Sequence, residues 1–307
     1  MAKRLVILGV FVADTSYRAA RPPRMGETIL GERFALGPGG KGSNQAVAAA
    51  RLGADVHFIS KLGCDPFADM ADKIWAEAGV KPAVTRHEDS YTGAAYIFIE
   101  DSTGNNAIII CPGVAATISA NDIENQAGLI KGAGAFMTQL EQPIEACQRG
   151  LEIAHHAGVT TILNPAPAMS LPDGVLSLCD YLTPNETEAQ ELSHLAVTDL
   201  DSARKAADKL LAKGPKGVIV TLGPLGALYH TASQSVHVPA IDAGPVVETT
   251  GAGDCFNGAF ATALMQGQDP LAATRFGCAA SGISVTRPGT APSMPSVQEV
   301  RTLLRAG

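Results

Sequence analysis

Short, nearly continuous apolar segments alternate with helical patterns along most of this 307-residue chain. Strands with so few polar residues are buried on both faces, which is typical of a parallel sheet covered by helices on each side. Apolar residues at helical spacing run from Leu200 to Leu211, and a similar face follows Asp254. The pattern predicts an α/β fold with a mostly parallel central sheet. The predicted strands are RLVILGV, ADVHFIS, GAFMTQL, VTTILNP, CDYLTPN and GVIVTLG.

Two stretches interrupt this alternation. Residues 28–36 and 92–111 have the pattern of antiparallel strands, and the second pair turns around Gly104 and Asn105. We interpret them as a small sheet inserted into the main domain as a lid over the functional site. The sequence therefore predicts one domain over residues 1–307, with lid strands from about 11–36 and 92–111.

Charge and cysteine usage exclude several classes of protein. The net charge of −7 argues against a nucleic-acid-binding surface, which needs clustered Lys and Arg. The six cysteines are widely separated and none forms a C-x-x-C pair, which favours reduced thiols in a cytoplasmic protein. The first apolar run stops at Asp14 without a cleavage site, so we expect a core strand there rather than a signal peptide. No apolar stretch approaches the roughly 20 residues that cross a bilayer, so we expect no membrane partner.

The segment ETTGAGDCFNG (248–258) places three small residues before Asp254 and the start of an apolar helix. Unshielded backbone N–H groups at a helix N-terminus form an anion site that needs close approach of the ligand to the main chain. Gly251, Ala252 and Gly253 permit that approach. Taken alone, the motif favours the simpler interpretation of Asp254 as an ordinary acidic residue in the first turn of a helix.

A second glycine-rich turn, GPGGKGSNQA (37–46), also precedes a helix. Backbone amides in such a turn can face a polyhydroxyl ligand, with Lys41 and Asn44 as further donors, although glycines also occur in such turns for packing alone. The turn is not a Walker A loop, because Lys41 is not followed by Ser or Thr and the glycine spacing differs. The GAGD segment likewise lacks the glycine spacing of a dinucleotide site.

Two further segments have the chemistry of a nucleotide site. TPNETEAQEL places Asn185 and Glu188 three residues apart at the start of a helix, where their oxygens suit Mg²⁺ held through water. A helix-capping box is the alternative for the same pair. VIVTLGPLGALYH ends a strand at Thr221 and turns through Gly223 and Gly226, where a nucleotide could lie; a plain β-hairpin is the alternative.

Together these segments resemble the ribokinase-like carbohydrate kinase family, also called the PfkB family. GGKGSNQAVAAARLGA, LNPAPA, TPNETEA, VTLGPLG and TTGAGDCFNGA occur in the order and spacing of that family, over essentially the whole chain. The resemblance implies a three-layer α/β/α sandwich with a small β-sheet lid. It also implies an ATP-dependent phosphotransferase whose acceptor is the 5-hydroxyl of a pentose.

The resemblance assigns a role to each candidate residue. Asp254 would take the proton from the sugar hydroxyl, while the N–H groups of Gly251, Ala252 and Gly253 stabilise charge on the transferring phosphoryl group. The residues implied for the sugar are Val12, Asp14, Gly39, Gly40, Lys41, Asn44 and Glu141. Those implied for the nucleotide are Asn185, Thr221, Gly223 and Gly226, with Asn185 and Glu188 organising Mg²⁺ through water.

The resemblance also implies a monovalent cation, K⁺, beside the anion site, near Glu248, Thr250 and Ser293. The chain departs from the family here, because a shorter polar residue usually stands at the position of Glu248. The additional methylene could alter the cation site. Activation by K⁺ is therefore a weaker implication than phosphoryl transfer.

The sugar site contains a second departure. Family members that act on ribose carry Asn two residues before the sugar-binding Asp, and this chain has Val12 there. An apolar side chain cannot bond a ring hydroxyl, and a buried hydroxyl without a partner costs about 1–3 kcal/mol. D-ribose remains the first expectation, with 2-deoxyribose or a nucleoside as alternatives and a non-catalytic nucleotide- or sugar-binding regulator as the non-enzyme alternative. We also expect a homodimer, formed where the lid sheets bury their apolar faces.

Overall fold

The computed structural model describes residues 4–306; the two ends of the predicted domain, residues 1–3 and 307, lie outside the described residues. Thirteen strands occur within the described range, and they form a nine-stranded and a four-stranded sheet. The strands are β1 (Leu5–Leu8), β2 (Val12–Ala19), β3 (Arg33–Gly39), β4 (Val56–Gly63), β5 (Lys81–His87), β6 (Thr92–Glu100), β7 (Asn106–Gly113), β8 (Ala135–Thr138), β9 (Thr160–Leu163), β10 (Tyr181–Leu182), β11 (Gly217–Thr221), β12 (Ala227–His230) and β13 (Ser235–Val238).

The large sheet has the order β13-β12-β11-β10-β9-β8-β1-β4-β5. Every pair from β5 to β11 is parallel, and antiparallel pairing occurs only at one edge, where β12 pairs with β11 and with β13. The apolar runs therefore become strands of a parallel sheet, as their lack of polar residues predicts. Their carboxyl ends lie along one edge of the sheet, the usual position of a ligand site in folds of this kind.

Helices cover both faces of this sheet. Successive residues of β1 show why: Leu5 and Ile7 point into one fully buried cluster, and Val6 and Leu8 point into the other. The first cluster includes α1 (Lys41–Arg51), α2 (Pro66–Ala78), α8 (Ala252–Met265), α9 (Pro270–Ser284) and α10 (Val297–Ala306). The second includes α3 (Ala120–Asn125), α4 (Ala127–Lys131), α5 (Ile144–His156), α6 (Glu186–Ser193) and α7 (Leu200–Leu211).

The small sheet has the order β3-β2-β6-β7. The strand expected at residues 28–36 instead runs over Arg33–Gly39, so this boundary was wrong. Antiparallel pairing with β2 begins where Arg33 lies opposite Arg18, and β2 ends at Ala19, so residues 28–31 have no paired strand residues beside them. The strands β6 and β7 form an antiparallel hairpin whose turn contains Gly104.

Within residues 4–306, no helix has both the length and the apolar character needed to cross a membrane. The six cysteines are all unpaired; Cys64 and Cys111 are exposed and the other four are buried. The four buried thiols therefore contribute to the core as small apolar side chains rather than as covalent links.

Candidate active site

Asp254 lies in the first turn of α8, just inside the entrance to a buried polar site. Its side chain is 8% exposed. Its Oδ2 accepts a hydrogen bond from Asn44 Nδ2 at 3.0 Å, and its Oδ1 accepts one from Gln45 Nε2 at 3.1 Å. Burial raises the pKa of the Asp254 carboxyl, while the charge of Lys41 and the two amide bonds oppose that rise. The carboxylate is therefore held in place yet poorly solvated, the state expected of a base.

The N-terminus of α1 meets α8 at this carboxylate, and the turn before α1 brings Asp14 to the same place. Asp14 lies within β2 rather than at a strand end, opposite Gly37 and two residues after Val12. A Cβ atom on Gly39 would lie 2.2 Å from the Asp14 carboxylate. Gly39 therefore allows the acidic side chain to lie directly over the turn, a close approach that any larger residue would prevent.

Lys41 is surrounded by carboxylates. Burial lowers the pKa of its ammonium, but Asp254, Glu141, Glu188 and Asp14 outweigh that effect and raise it. One fixed positive charge thus faces four acidic groups, so the site favours a ligand that brings hydrogen-bond donors or a cation with it.

Two of these carboxyls have strongly perturbed pKa values. Burial and the nearby charge of Asp254 raise the pKa of Asp14 to about 6, with Lys41 opposing. Burial raises the pKa of Glu141 to about 7, although Lys41 lowers it and the Lys41 backbone N–H donates to Glu141 Oε2 at 2.7 Å. Perturbed acids clustered in one recess are typical of a functional site.

The turn before α8 has the geometry of an anion site. Gly251 has φ 79° and no side chain caps the helix, so the first N–H groups of α8 have no side-chain acceptor. A Cβ atom on Gly253 would meet nothing within 4 Å, whereas one on Gly251 would meet Thr290 at 3.3 Å. Packing therefore does not explain why Gly253 lacks a side chain. The open space beside Gly253 leaves room for a ligand to approach the main chain closely.

The residues expected to bind nucleotide come together at the neighbouring strand ends. Asn185 and Thr221 form a parallel β-bridge, and the Thr221 N–H donates to the Pro184 carbonyl at 2.9 Å. Asn185 and Glu188 form the capping box of α6. Burial raises the pKa of Glu188. The capping alternative is thus present, and it holds the Glu188 carboxylate in a fixed orientation facing Lys41.

Gly223 and Gly226 lie in the turn of the β11–β12 hairpin, which is the structural alternative considered for this segment. Gly226 has φ 96°, and a Cβ atom there would lie 2.2 Å from the Val238 carbonyl oxygen. The turn itself therefore requires Gly226. A Cβ atom on Gly223 would meet only Glu186 Oε1, at 3.9 Å, so there is open space beside Gly223.

The residues expected to bind a monovalent cation lie beside the anion turn. Glu248 Oε2 accepts a hydrogen bond from the Gly289 N–H at 2.8 Å, which ties its loop to the segment containing Ser293. Ser293 is buried and its hydroxyl donates to the Thr290 carbonyl at 2.7 Å, whereas Thr250 is exposed. The longer side chain of Glu248 thus serves as a link between two loops.

Val12 is 4% exposed and lies on the same face of β2 as Asp14. It belongs to the buried cluster that includes Val10 and Ala95. Val12, two residues before Asp14, is therefore an apolar side chain in apolar surroundings.

Sequence reasoning missed Gln45, Asn164 and Thr290. Gln45 is fully buried, and its side-chain amide donates to Asp254 and to Asn164. The Thr290 hydroxyl donates to the Pro38 carbonyl in the glycine turn at 2.7 Å. The available signal was the polar run from Ser43 to Gln45 in an otherwise alanine-rich helix. Such a run predicts a buried network when the rest of the helix is apolar.

Comparison with known proteins places this geometry among sugar kinases. Residues 2–297 match the description pfkB family carbohydrate kinase. The chain is 40% identical over 304 residues to the ribokinase of Staphylococcus aureus (strain COL), covering 98% of this chain and 99% of that protein. It is 36% identical over 302 residues to the deoxyribokinase of Salmonella typhi, covering 98% of each. The Arabidopsis thaliana ribokinase complexed with ribose and ATP is 31% identical with a TM-score of 0.95 over 99% of each chain, which confirms the predicted fold class.

Proposed function

The chain belongs to the pfkB family of carbohydrate kinases and is a phosphotransferase acting on an alcohol group; we propose that it phosphorylates the 5-hydroxyl of D-ribose with ATP. The resemblance drawn from its motifs is thereby confirmed. One observation carries the assignment. Asp254 is a buried carboxylate at the mouth of α8, beside amides with no side-chain cap, and it is bonded to Asn44 of the glycine-turn helix.

In this reaction Asp254 accepts the proton of the attacking hydroxyl. The N–H groups of Gly251, Ala252 and Gly253 stabilise the negative charge that spreads over the transferred phosphoryl group. Both functions depend on the start of one helix, because the acid and the amides occupy adjacent positions. The arrangement fixes the base close to the phosphoryl group without further conformational adjustment.

The sugar is held by the turn and helix that face Asp254. Asn44 Oδ1 is buried without a hydrogen-bond partner, so a sugar hydroxyl donated to it would satisfy the group. Asp14 and Glu141 supply further acceptors, and Lys41 is the neighbouring donor. A polyhydroxyl ligand suits this mixture because each of its hydroxyls both donates and accepts.

ATP and Mg²⁺ are the co-substrate and metal that we propose. The Arabidopsis ribokinase of the same fold was solved with ribose and ATP. Within residues 4–306 no group of three or more His, Cys, Asp or Glu side chains is arranged as a metal centre. Asn185 and Glu188 would supply amide and carboxylate oxygens for a Mg²⁺ ion that keeps most of its waters. Such an ion would neutralise developing phosphate charge.

We also propose that K⁺ binds between the loops of Glu248 and Ser293 and activates the enzyme. Main-chain carbonyls near Glu248 and Thr250 would supply hard oxygen ligands. The bond from Gly289 to Glu248 already brings the two loops together. We expect partial activation by K⁺, because this link pre-forms part of the site.

A preference for 2-deoxyribose is the second candidate, and Val12 favours it. A pentose without the 2-hydroxyl leaves no polar group facing this apolar residue. The Salmonella typhi deoxyribokinase is 36% identical to this chain, close to the 40% identity of the S. aureus ribokinase. Overall identity therefore does not separate the two sugars, and Val12 is the observation that favours 2-deoxyribose.

We propose that the small sheet is a lid and that two copies of the chain pair through it. Tyr17, Phe34, Tyr96 and Ile109 share one face of the sheet, with between 36% and 62% of each residue exposed. The ring of Tyr17 lies 5.1 Å from Phe34 and 5.4 Å from Tyr96. Alternation along β2 puts Asp14 on the opposite face, so pairing would leave the sugar side free.

The experiment that tests the function measures ATP consumption with ribose, 2-deoxyribose, other pentoses, hexoses and nucleosides, with and without K⁺. Ribose should give the highest kcat/KM, followed by 2-deoxyribose. A nucleoside as the best substrate would overturn the assignment. The unpaired cysteines support a cytoplasmic location for this activity, since reducing conditions preserve free thiols.

A further inference from the structure

Gln45 lies at the centre of a buried polar network below the candidate site. Its side chain is fully buried in the first turns of α1. Nε2 donates to Asp254 Oδ1 and to Asn164 Oδ1, each at 3.1 Å, and Oε1 accepts from Gln139 Nε2. Both amide protons and the carbonyl oxygen therefore have partners, which restricts the side chain to one rotamer and one amide orientation.

Fixed groups at both ends determine that orientation. Asp254 is a carboxylate and only accepts when ionised. Asn164 Nδ2 donates to the Thr183 backbone carbonyl at 3.0 Å, so its Oδ1 faces Gln45. A flipped Gln45 amide would oppose oxygen to oxygen on both sides. The NH₂ group of Gln45 must therefore face the base.

The same network continues to the anion turn. The Thr183 hydroxyl donates to Asn257 Oδ1 at 2.6 Å, and Asn257 Nδ2 donates to the Gly253 carbonyl at 2.8 Å. Side chains from α1, β9, the end of β10 and α8 are thus joined in one set of buried bonds. The network connects the carboxylate of Asp254 with the backbone that precedes it.

The two oxygens of Asp254 consequently have different surroundings. Oδ1 faces the interior and Gln45, whereas Oδ2 faces Asn44, whose own Oδ1 has no partner. We propose that Gln45 is a positioning residue for phosphoryl transfer, which holds Oδ1 inward so that Oδ2 is the oxygen that meets the acceptor hydroxyl. This proposal rests on the proposed function, because it takes Asp254 as the base.

A second consequence concerns ionisation. A donor to the charged carboxylate favours the charged form, so loss of Gln45 should raise the pKa of Asp254 further. The other charged groups facing Asp254 are Lys41, Asp14, Glu141 and Glu188. They remain in place when Gln45 changes, so a shift relative to wild type reports the missing amide.

The test compares Gln45→Met, which keeps the approximate shape without a donor, with Gln142→Met. Gln142 is a suitable control because it is also buried and donates two bonds, to Thr138 Oγ1 and the Gln139 carbonyl, but neither reaches Asp254. We expect Gln45→Met to move the acid limb of kcat/KM upward by about one pH unit and to lower kcat about tenfold. Gln142→Met should leave the acid limb at its wild-type pH.

Gln45→Glu provides a second variant if Gln45→Met does not fold. Two carboxyls sharing one site should raise the apparent pKa of the pair by more than loss of the donor alone. An acid limb at the wild-type pH in a folded Gln45 variant would overturn the proposal, as would a Gln142 variant with the same shift.

A readout without substrate separates this proposal from the assigned function. In protein labelled with ¹³C at aspartate Cγ, the Asp254 resonance is identified by its loss in Asp254→Asn and titrated in wild type and in Gln45→Met. The titration midpoint should be higher in Gln45→Met even if ribose is not the substrate. Equal titration midpoints would overturn the proposed role of Gln45. If no sugar in the panel is phosphorylated but the midpoints differ, only the assigned substrate is overturned.

Discussion

Asn44 and Asp254, 210 positions apart in the chain, are joined by a hydrogen bond of 3.0 Å between Nδ2 and Oδ2. The bond exists because the N-termini of α1 and α8 converge. Gly258 permits this convergence, since a Cβ atom there would lie 2.6 Å from the Gln45 carbonyl oxygen. The base and a sugar-facing amide are thus held together by the packing of two helices rather than by a flexible loop.

Asp254→Asn should lower kcat by about 10²- to 10⁴-fold, because a positioned general base typically contributes a factor of this size. Affinity for the sugar should change little, since the amide keeps the shape of the side chain. Steady-state kinetics and calorimetric titration of the sugar measure the two effects. Asp69→Asn is the control for a helix-start role, because Asp69 is an exposed acid in the first turn of α2. Full turnover in Asp254→Asn would remove this residue as the base.

Gly253→Ala should impair turnover without loss of stability. The added methyl group meets no protein atom within 4 Å, and alanine is favoured over glycine in a helix by about 1 kcal/mol. It would instead occupy the space in which a phosphoryl group approaches the amides. Gly251→Ala is the contrast, because φ of 79° makes it destabilising. Thermal unfolding measures the stability of the two variants, and kcat/KM for ATP measures their turnover. Unchanged kinetics in Gly253→Ala would contradict the anion site.

Glu141→Gln should stabilise the ligand-free protein at high pH. The pKa of Glu141 is raised from 4.5 to about 7, so the folded protein binds this proton more tightly than the unfolded chain does. The free energy of unfolding therefore falls as pH rises from about 4.5 to about 7. Gln keeps an acceptor for the Lys41 N–H and removes the titration, for a gain of about 1–3 kcal/mol at pH 8 and near zero at pH 4.5. Urea unfolding at pH 4.5 and pH 8 measures the change in the free energy of unfolding. An equal change at both pH values would contradict a raised pKa for Glu141.

Val12→Asn should increase the preference of the enzyme for ribose over 2-deoxyribose. An amide on the Asp14 side of β2 can bond a ring hydroxyl, and the ratio of kcat/KM for ribose over 2-deoxyribose should rise about tenfold or more. Val12→Ala is the control, because it also changes the buried volume but adds no hydrogen-bonding group. A ratio that moves equally in both variants would show that space rather than hydrogen bonding selects the sugar.

Ile109→Lys should convert a dimer into a monomer. Ile109 is 62% exposed and lies opposite Tyr96 in the β6–β7 hairpin, on the face proposed to bury against a second copy. A charge there would have to be desolvated on pairing. Sedimentation at micromolar concentration should give a dimer for wild type and a monomer for the variant. A monomeric wild type would exclude pairing through the lid, and Thr302→Lys, at an exposed position of α10, which packs on α9, controls for the added charge.

Local patterns in the sequence determined the elements and the chemistry available to them. The apolar runs predicted parallel strands, since residues such as Leu5 and Val6 must be buried on opposite faces of one sheet. The small residues before Asp254 predicted an open helix mouth, because only backbone atoms remain there to contact a ligand. The order of the motifs identified the family, since each segment has a fixed place along the chain.

Only the tertiary structure decided which of these groups meet. Gln45, Asn164 and Asn257 are ordinary amides in the sequence, and their joint role depends on hydrogen bonds between helix and strand ends that are 119 and 74 positions apart. The same holds for the raised pKa of Glu141, which follows from burial and from the nearby charges of Asp254 and Asp14, with Lys41 opposing the rise. A sequence records the type and spacing of side chains. Desolvation, charge proximity and hydrogen-bond geometry depend on distances through space, and those exist only once the chain has packed.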